Sequence, residues 1–569
     1  MGNKNLNVRE NPTAERYKWV VLSNTTLGVL MATIDTSIVL ISLPNIFDGI
    51  HVDPLQPGNT FYMLWMILGF MIVTSVLVVS LGRLGDMLGR VKMYNLGFAV
   101  YTFFSLLLSV TWMSGTAGAI WLVVMRLFQG VGAAFLIANS TAILTDAFPE
   151  HQRGMAIGIN QIAGISGSFL GLVLGGLLGP IQWRLVFIVS VPIGLFGTVW
   201  AYRKLREVPH RIDHHMDWWG NATFALGLIA LMVGVTYGIQ PYGGHTMGWT
   251  SPVVLGMLAL GVLSLVGFAV IEQRSDDPMF RLELFKIRAF SAGSLSTLLS
   301  AIGRGGLMFT MVIWLQGIWL PLHGYSFSST PFIAGLMLLP LTAGFLIAGP
   351  LCGYLSDRFG ARLFTVTGMA LATLSFLWFP ALPAVFRYEA FAALLFMNGI
   401  GMGMFAAPNR TSVMNALPAQ HRGVGSGMNS TFQNSGQVIS IGVFFTLMII
   451  GLARSLPAAL TQGLTRVGVP FATAQHVASL PPVSTLFASF LGYNPMEHLL
   501  GQQVLTGLSP SNRAVVLGHE FFPNVIKNAF MAGLHPACYF AALLCAVAMG
   551  ASWLRGSKDS LVAANSCLP

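Results

Sequence analysis

Three residues in this sequence combine charge with an apolar setting: Asp35, Arg126 and Arg304. Asp35 lies in ATIDTSIVLISLP (32–44), Arg126 in LVVMRLFQGVGAA (122–134) and Arg304 in IGRGGLMFTMVIWLQGIWL (302–320). An isolated cation at the centre of a bilayer costs about 2.5–3.5 kcal/mol on insertion scales, so each Arg needs a partner or a water-filled space. A carboxylate removed from water binds its proton more tightly, and a nearby cation makes it release that proton. An Asp35 that moves between those two settings carries a proton, and Arg126 is the opposing charge that would drive release. A structural ion pair, a snorkelling Arg126 and an Asp35 at a membrane edge are the plainer alternatives. Arg304 is expected to meet an anionic substrate or to pair with Asp35. Trp314 and Gln316, farther along the same run, are assigned with Arg304 to a substrate cavity. Interfacial anchoring is the alternative for the Trp residues.

Two segments of the chain occur twice. PEHQRGMAIGINQIAGISG at 149–167 returns as PAQHRGVGSGMNSTFQNSG at 418–436, an offset of 269 residues (436 − 167). GRLGDMLGR at 82–90 returns as GYLSDRFGA at 353–361, an offset of 271 (353 − 82). The same order at nearly the same spacing means a duplicated half, the plan of many transporters. The copies also differ informatively. Gly130 aligns with Gly399, but Arg126 aligns with Leu395. One half builds this span without the cation, so the other half is expected to keep it for function.

Composition says which elements must position these charges. The chain has 569 residues, 54% hydrophobic and 9% charged, against about 25% charged in soluble domains. Its apolar runs are about 20 residues long and rich in Leu, Ala, Gly and Met, which suits membrane-crossing helices. Fourteen are expected: 19–44, 59–80, 93–110, 117–143, 154–178, 184–202, 218–239, 251–271, 290–320, 332–353, 363–382, 389–409, 423–451 and 530–553. The two tails and the even-to-odd loops hold most of the 30 Lys and Arg residues. The opposite side holds six: Arg184, Arg387, Arg454, Arg466, Arg513 and Lys527. Both termini are therefore expected in the cytoplasm.

The repeat offset leaves two extra spans between two six-span halves. The expected fold is an all-α membrane protein with 14 transmembrane helices arranged 6+2+6. Its expected parts are a cytoplasmic tail (1–18), a first half (19–202), two extra spans with cytoplasmic connectors (203–289), a second half (290–553) and a cytoplasmic tail (554–569). A long extracellular loop, 452–528, interrupts the second half. The net charge of +10 belongs to short loops beside spans and is no sign of nucleic-acid binding. Cys352, Cys538, Cys545 and Cys567 show no CxxC or Cys/His spacing, so neither a disulfide framework nor a metal or other cofactor is expected. No ATP-binding loop, nucleophile–base set or cleavable signal pattern is present, which argues against an enzyme or a self-contained ATP-driven pump.

Two further motifs read as moving parts. Gly82, Asp86, Gly89 and Arg90 sit in the loop after span 2, and Gly353, Asp357 and Arg358 repeat the pattern. They are expected to form a cytoplasmic latch that holds one half against the other. Gly158, Gly167, Gly171, Gly175 and Gly176 form a ladder in span 5, several at i, i+4 spacing, which lets two helices approach closely.

These motifs resemble the major facilitator superfamily over about residues 15–450 and 530–553. GRLGDMLGR is similar to its loop 2–3 signature, and RLFQGVGAA to its span 4 signature. The Gly158-x8-Gly167-x3-Gly171 ladder, followed by Gly175-Gly176, is similar to its antiporter signature, with Leu172 in place of the usual Pro. IDTSIVLISLP, DWWG (217–220) and the long loop before the last span resemble the fourteen-span drug:proton antiporter family. The resemblance implies the major facilitator fold and a plasma-membrane exporter of drugs or lipophilic compounds driven by protons. It implies a small-molecule substrate, protons and the lipid bilayer as partners, and a monomer. One buried Asp against two Arg favours neutral or anionic amphiphiles over cationic ones. Lipid or fatty-acid transport is the alternative, and a non-transporting membrane sensor a more distant one.

Overall fold

The structure is a computed structural model that describes residues 12–53, 58–207, 217–275, 278, 280–326, 329–418, 422–479, 482 and 494–555. Both expected tails fall largely outside the described residues, as do His421 and Cys567. Among the described residues there are helices and no strand. This follows from the solvent: hydrocarbon offers backbone amides no partner, so each apolar run must satisfy its own hydrogen bonds.

Fourteen helices are long and apolar enough to cross a membrane. Spans 1 to 6 are Glu15–Gly49, Phe61–Leu88, Arg90–Ser109, Gly115–Ala147, Met155–Leu178 and Leu185–Lys204. Spans 7 and 8 are Trp218–Gly238 and Pro252–Arg274. Spans 9 to 14 are Arg288–Leu322, Thr330–Ser356, Ala361–Ala381, Tyr388–Asn415, Val424–Arg466 and Phe521–Trp553.

The duplication in sequence is a duplication in packing. In the first half, span 1 packs on spans 4, 5 and 6, span 4 on spans 2 and 3, and span 3 on span 6. Adding eight to each number reproduces the second half: span 9 on 12, 13 and 14, span 12 on 10 and 11, and span 11 on 14. The halves meet through span 2 on 13 and span 5 on 10, which the same operation exchanges. Spans 7 and 8 form a hairpin beside this interface, with span 7 touching spans 2 and 13. The Ser80 hydroxyl bonds the Asn221 side chain there.

The described part of the 452–528 segment is largely helical. Its first part continues the span 13 helix to Arg466, and span 14 begins at Phe521. Leu452, Leu456, Leu460 and Leu464 lie at i, i+4 spacing and are at most 2% exposed, as are Phe522 and Ile526. One face is buried while Arg454, Gln462 and Arg466 break the apolar run, so hydropathy alone ends both helices too early. Short helices Phe471–Ala478, Met496–Gly507 and Pro510–Leu517 complete the described part.

Candidate functional site

Span 1 brings Asp35, and span 4 brings Arg126, into one buried ion pair, with the side chains 0% and 1% exposed. The pair sits in a network of side-chain and backbone hydrogen bonds. Arg126 bonds Asp35 Oδ2. Gln129 Nε2 donates to Asp35 Oδ1 at 3.1 Å and to Ser105 Oγ at 2.8 Å. Gln129 Oε1 accepts from Arg126 Nη1 at 2.7 Å, and Arg126 Nε donates to the Met66 carbonyl at 3.3 Å. The guanidinium also lies 4.3 Å from the centre of the Phe70 ring, a favourable cation–π placement. Arg126 and Gln129 share a helix face because they are three residues apart. Span 1 thus presents an anion to a face of span 4 built to receive it.

A ladder of glycines holds span 1 at this register. On span 5, a Cβ at Gly167 would fall 2.8 Å from the Leu30 carbonyl, one at Gly171 3.0 Å from the Ile38 nitrogen, and one at Gly175 2.7 Å from the Ile38 carbonyl. No side chain fits at these positions, and Asp35 sits between the contacted turns. Gly176 faces elsewhere: its Cβ would fall 2.5 Å from Phe332 Cα on span 10, so it seals the contact between halves. Gly158 is a correction. A Cβ there would meet nothing within 4 Å, so its place in the spacing motif does not reflect helix packing. Leu172 is 1% exposed and packs by Gly335 of span 10.

The expected substrate-cavity residues separate. Arg304 lies in the middle of span 9, half-buried, and its guanidinium makes no hydrogen bond or ion pair among the described residues. The expected Arg304–Asp35 pair is absent here, because Arg126 occupies Asp35. Trp314 is packed among aromatic rings. It is fully buried, packs against Phe386 at 4.9 Å and Phe391 at 5.7 Å, and donates its indole N–H to the Ala384 carbonyl at 2.9 Å. Trp319 likewise donates to the Phe386 carbonyl at 3.0 Å, so neither Trp is an interfacial anchor. The cause is a π-helical turn at Leu315–Trp319. Five residues apart on an α-helix would diverge, whereas a π turn aligns i with i+5 and brings both indoles to one loop. Gln316, inside that turn, is buried with its Nε2 unpartnered among the described residues.

The expected latch binds within one half. Asp86 Oδ1 accepts from Arg90 Nε at 2.7 Å, and Arg90 Nη1 reaches both Asp146 oxygens at 2.7 Å. Glu207 accepts from the Val91 and Lys92 amides at 3.3 and 3.2 Å, capping span 3 where the helix dipole favours an anion. All these partners belong to the first half or the linker just after it. Gly89 and Gly360 adopt φ of 112° and 86°, a conformation that favours glycine in both copies. At Gly82 and Gly353 a Cβ would make only ordinary contact, 3.6 and 3.4 Å from Ala138 and Ala407. Arg358 is exposed, with its guanidinium 5.7 Å from the Phe359 ring centre, and the Asp357 side chain lies outside the described residues. A tie beyond the first half comes from Arg83, which donates to the Pro278 carbonyl in the connector before span 9 at 3.1 Å.

Two cations expected outside the spans, one in a loop and one in the C-terminal tail, are at least half-buried. Span 12 runs past Pro408 to Asn415, so Arg410 is a helix residue. Arg555 is 3% exposed and bonds Asn409. The run of small and apolar residues up to Pro408 obscured this, since a Pro commonly ends a helix.

The chain matches the Major Facilitator Superfamily over residues 25–304 and 282–441. It is 28% identical over 553 residues to the multidrug resistance protein Stp of Mycobacterium tuberculosis (strain ATCC 25618 / H37Rv), covering 96% of this chain and 93% of that one. It is 28% identical over 476 residues to the tetracenomycin C resistance and export protein of Streptomyces glaucescens, covering 82% and 84%. The riboflavin transporter RibZ of Clostridioides difficile (strain 630) is 27% identical over 432 residues, covering 75% and 88%. Among solved structures, an inward-facing bacterial homologue of the lysosomal transporter Spinster superposes with a TM-score of 0.57 at 16% identity, covering 95% and 97%. The D-xylose–proton symporter gives a TM-score of 0.52 at 14% identity, covering 83% and 97%. With its duplicated halves, two-fold interface and matched profile, this chain belongs to the major facilitator superfamily.

Proposed function

We propose that the chain is a proton-coupled exporter of amphiphilic small molecules that works by alternating access between its two six-span halves. The observation that carries this reading is the Asp35–Arg126 pair. It is buried, bridged by Gln129, and built from spans 1 and 4 of one half only. A carboxylate beside a cation is ionised, and one deprived of that cation in an apolar setting binds a proton. Opening the site toward protons and parting Asp35 from Arg126 loads the carboxyl. Restoring the pair expels the proton. The sequence relatives that confer multidrug resistance or export tetracenomycin C support export as the direction. On this reading both termini are cytoplasmic, the membrane is the plasma membrane, and the working unit is one chain.

The test is transport into everted vesicles with a panel of amphiphiles, with and without a proton gradient. Uptake that depends on the gradient in the unmodified chain, and is lost in Asp35→Asn at equal protein level, is the expected result. Riboflavin belongs in the panel because one relative is a riboflavin transporter.

A further inference from the structure

Three arginines of the second half have almost no carboxylate to answer them. Between Arg288 and Ala478 the sequence holds only Asp357 and Glu389, and from Phe521 to Arg555 it holds none. Glu389 stands 3.7 Å from Arg387, with both side chains exposed, and Asp357 follows the last residue of span 10. Arg304 and Arg410 are half-buried, and their guanidinium groups make no hydrogen bond or ion pair among the described residues. Arg555 uses Nη2 on Asn409, while its buried Nε and Nη1 have no partner among the described residues. Burial lowers this guanidinium to about 10. Donors left buried without acceptors are costly, and burying a cation costs more still.

Arg304 and Arg555 flank one polar contact between spans 9, 12 and 14, and Arg410 adjoins it in sequence. Asn409 Nδ2 donates to Thr297 Oγ1 at 2.9 Å and to the Gly293 carbonyl at 3.2 Å, joining span 12 to span 9. Arg555 meets the same Asn409 from the end of span 14. Arg410 is the next residue on span 12. Gly293, Thr297 and Arg304 stand at i, i+4 and i+11, one stripe of span 9. Arg304 therefore continues the face that meets span 12, about 10 Å beyond Thr297 at about 1.5 Å per residue.

We propose that this region binds the acidic group of an amphiphile, a carboxylate or phosphate ester on an apolar tail, first at Arg410, Asn409 and Arg555 and then at Arg304. The inference rests on the transport reading above only for what happens to the ligand after it binds. It narrows the amphiphile class to acids, with Arg304 as the deeper of two anion stations.

The test is binding to the purified full chain in phosphatidylcholine nanodiscs. The probes are 11-(dansylamino)undecanoic acid and its methyl ester, followed by dansyl fluorescence. A charge-assisted bond predicts that the acid binds about tenfold or more tighter than the ester. Arg304→Gln and Arg410→Gln should each cut that preference to about twofold, and the Lys variants should keep most of it. Competition by phosphatidylglycerol assigns the site to phospholipid headgroups, and its absence assigns it to single-chain acids. Both outcomes keep the anion site. Equal binding of acid and ester by the unmodified chain overturns the proposal without any variant, as does an undiminished preference in both Gln variants. Asp35→Asn should keep the acid preference while losing proton-driven efflux, so this inference and the coupling mechanism fail separately.

Discussion

Asp35 and Arg126 are stable in the bilayer interior only together. Removing one partner of a buried pair leaves an uncompensated charge, at a cost of about 3–5 kcal/mol, whereas replacing both by neutral groups is often tolerated. Asp35→Asn should therefore lower the unfolding temperature in detergent, and the double variant Asp35→Asn/Arg126→Gln should recover most of the loss. A double variant no more stable than the single would mean that Arg126 has another counter-charge. Both charges were legible in the sequence, because an ionised group within an apolar run is rare and its absence from the aligned Leu395 marks it further. Gln129 was not legible. It is neutral, and only the three-residue helical step from Arg126 turns it toward Asp35. Arg410 was hidden by the Pro408 before it.

At the scale of elements, span 5 separates two jobs that its glycine spacing runs together. Gly167, Gly171 and Gly175 hold span 1, Gly176 holds span 10, and Gly158 holds nothing. Gly171→Val should abolish the folded protein, seen as loss of the monodisperse peak on gel filtration, while Gly158→Ala should leave both yield and transport unchanged. Gly176→Val should wedge the two halves apart at Phe332. Maleimide labelling of Phe332→Cys would then rise several-fold over the same Cys in a Gly176 background. Unaltered labelling would remove Gly176 from the contact between halves. Apolar length revealed all fourteen spans. The extensions of spans 13 and 14 escaped it because each has one polar face. The π turn at Leu315–Trp319 escaped it because nothing in hydropathy distinguishes a widened turn from an ordinary one.

At the scale of the whole molecule, the repeat seen in sequence returns as a repeated packing plan, and the two most extensive contacts between halves, span 2 with 13 and span 5 with 10, exchange under the same two-fold operation. Such an interface suits rocking of one half on the other. The copies share this scaffold and differ in charge: an acid–base pair in the first half, unanswered cations in the second. On the proposed reading, proton coupling and substrate recognition belong to different halves. Efflux into everted vesicles under an imposed proton gradient tests this most directly, comparing the unmodified chain with Asp35→Asn and Arg304→Gln. The account predicts gradient-driven uptake of an acidic amphiphile in the unmodified chain. In Asp35→Asn the acid should still bind, and uptake should no longer respond to the gradient. In Arg304→Gln the response should persist, with the preference for the acid cut to about twofold. Gradient-driven uptake by Asp35→Asn at the unmodified rate would contradict the account.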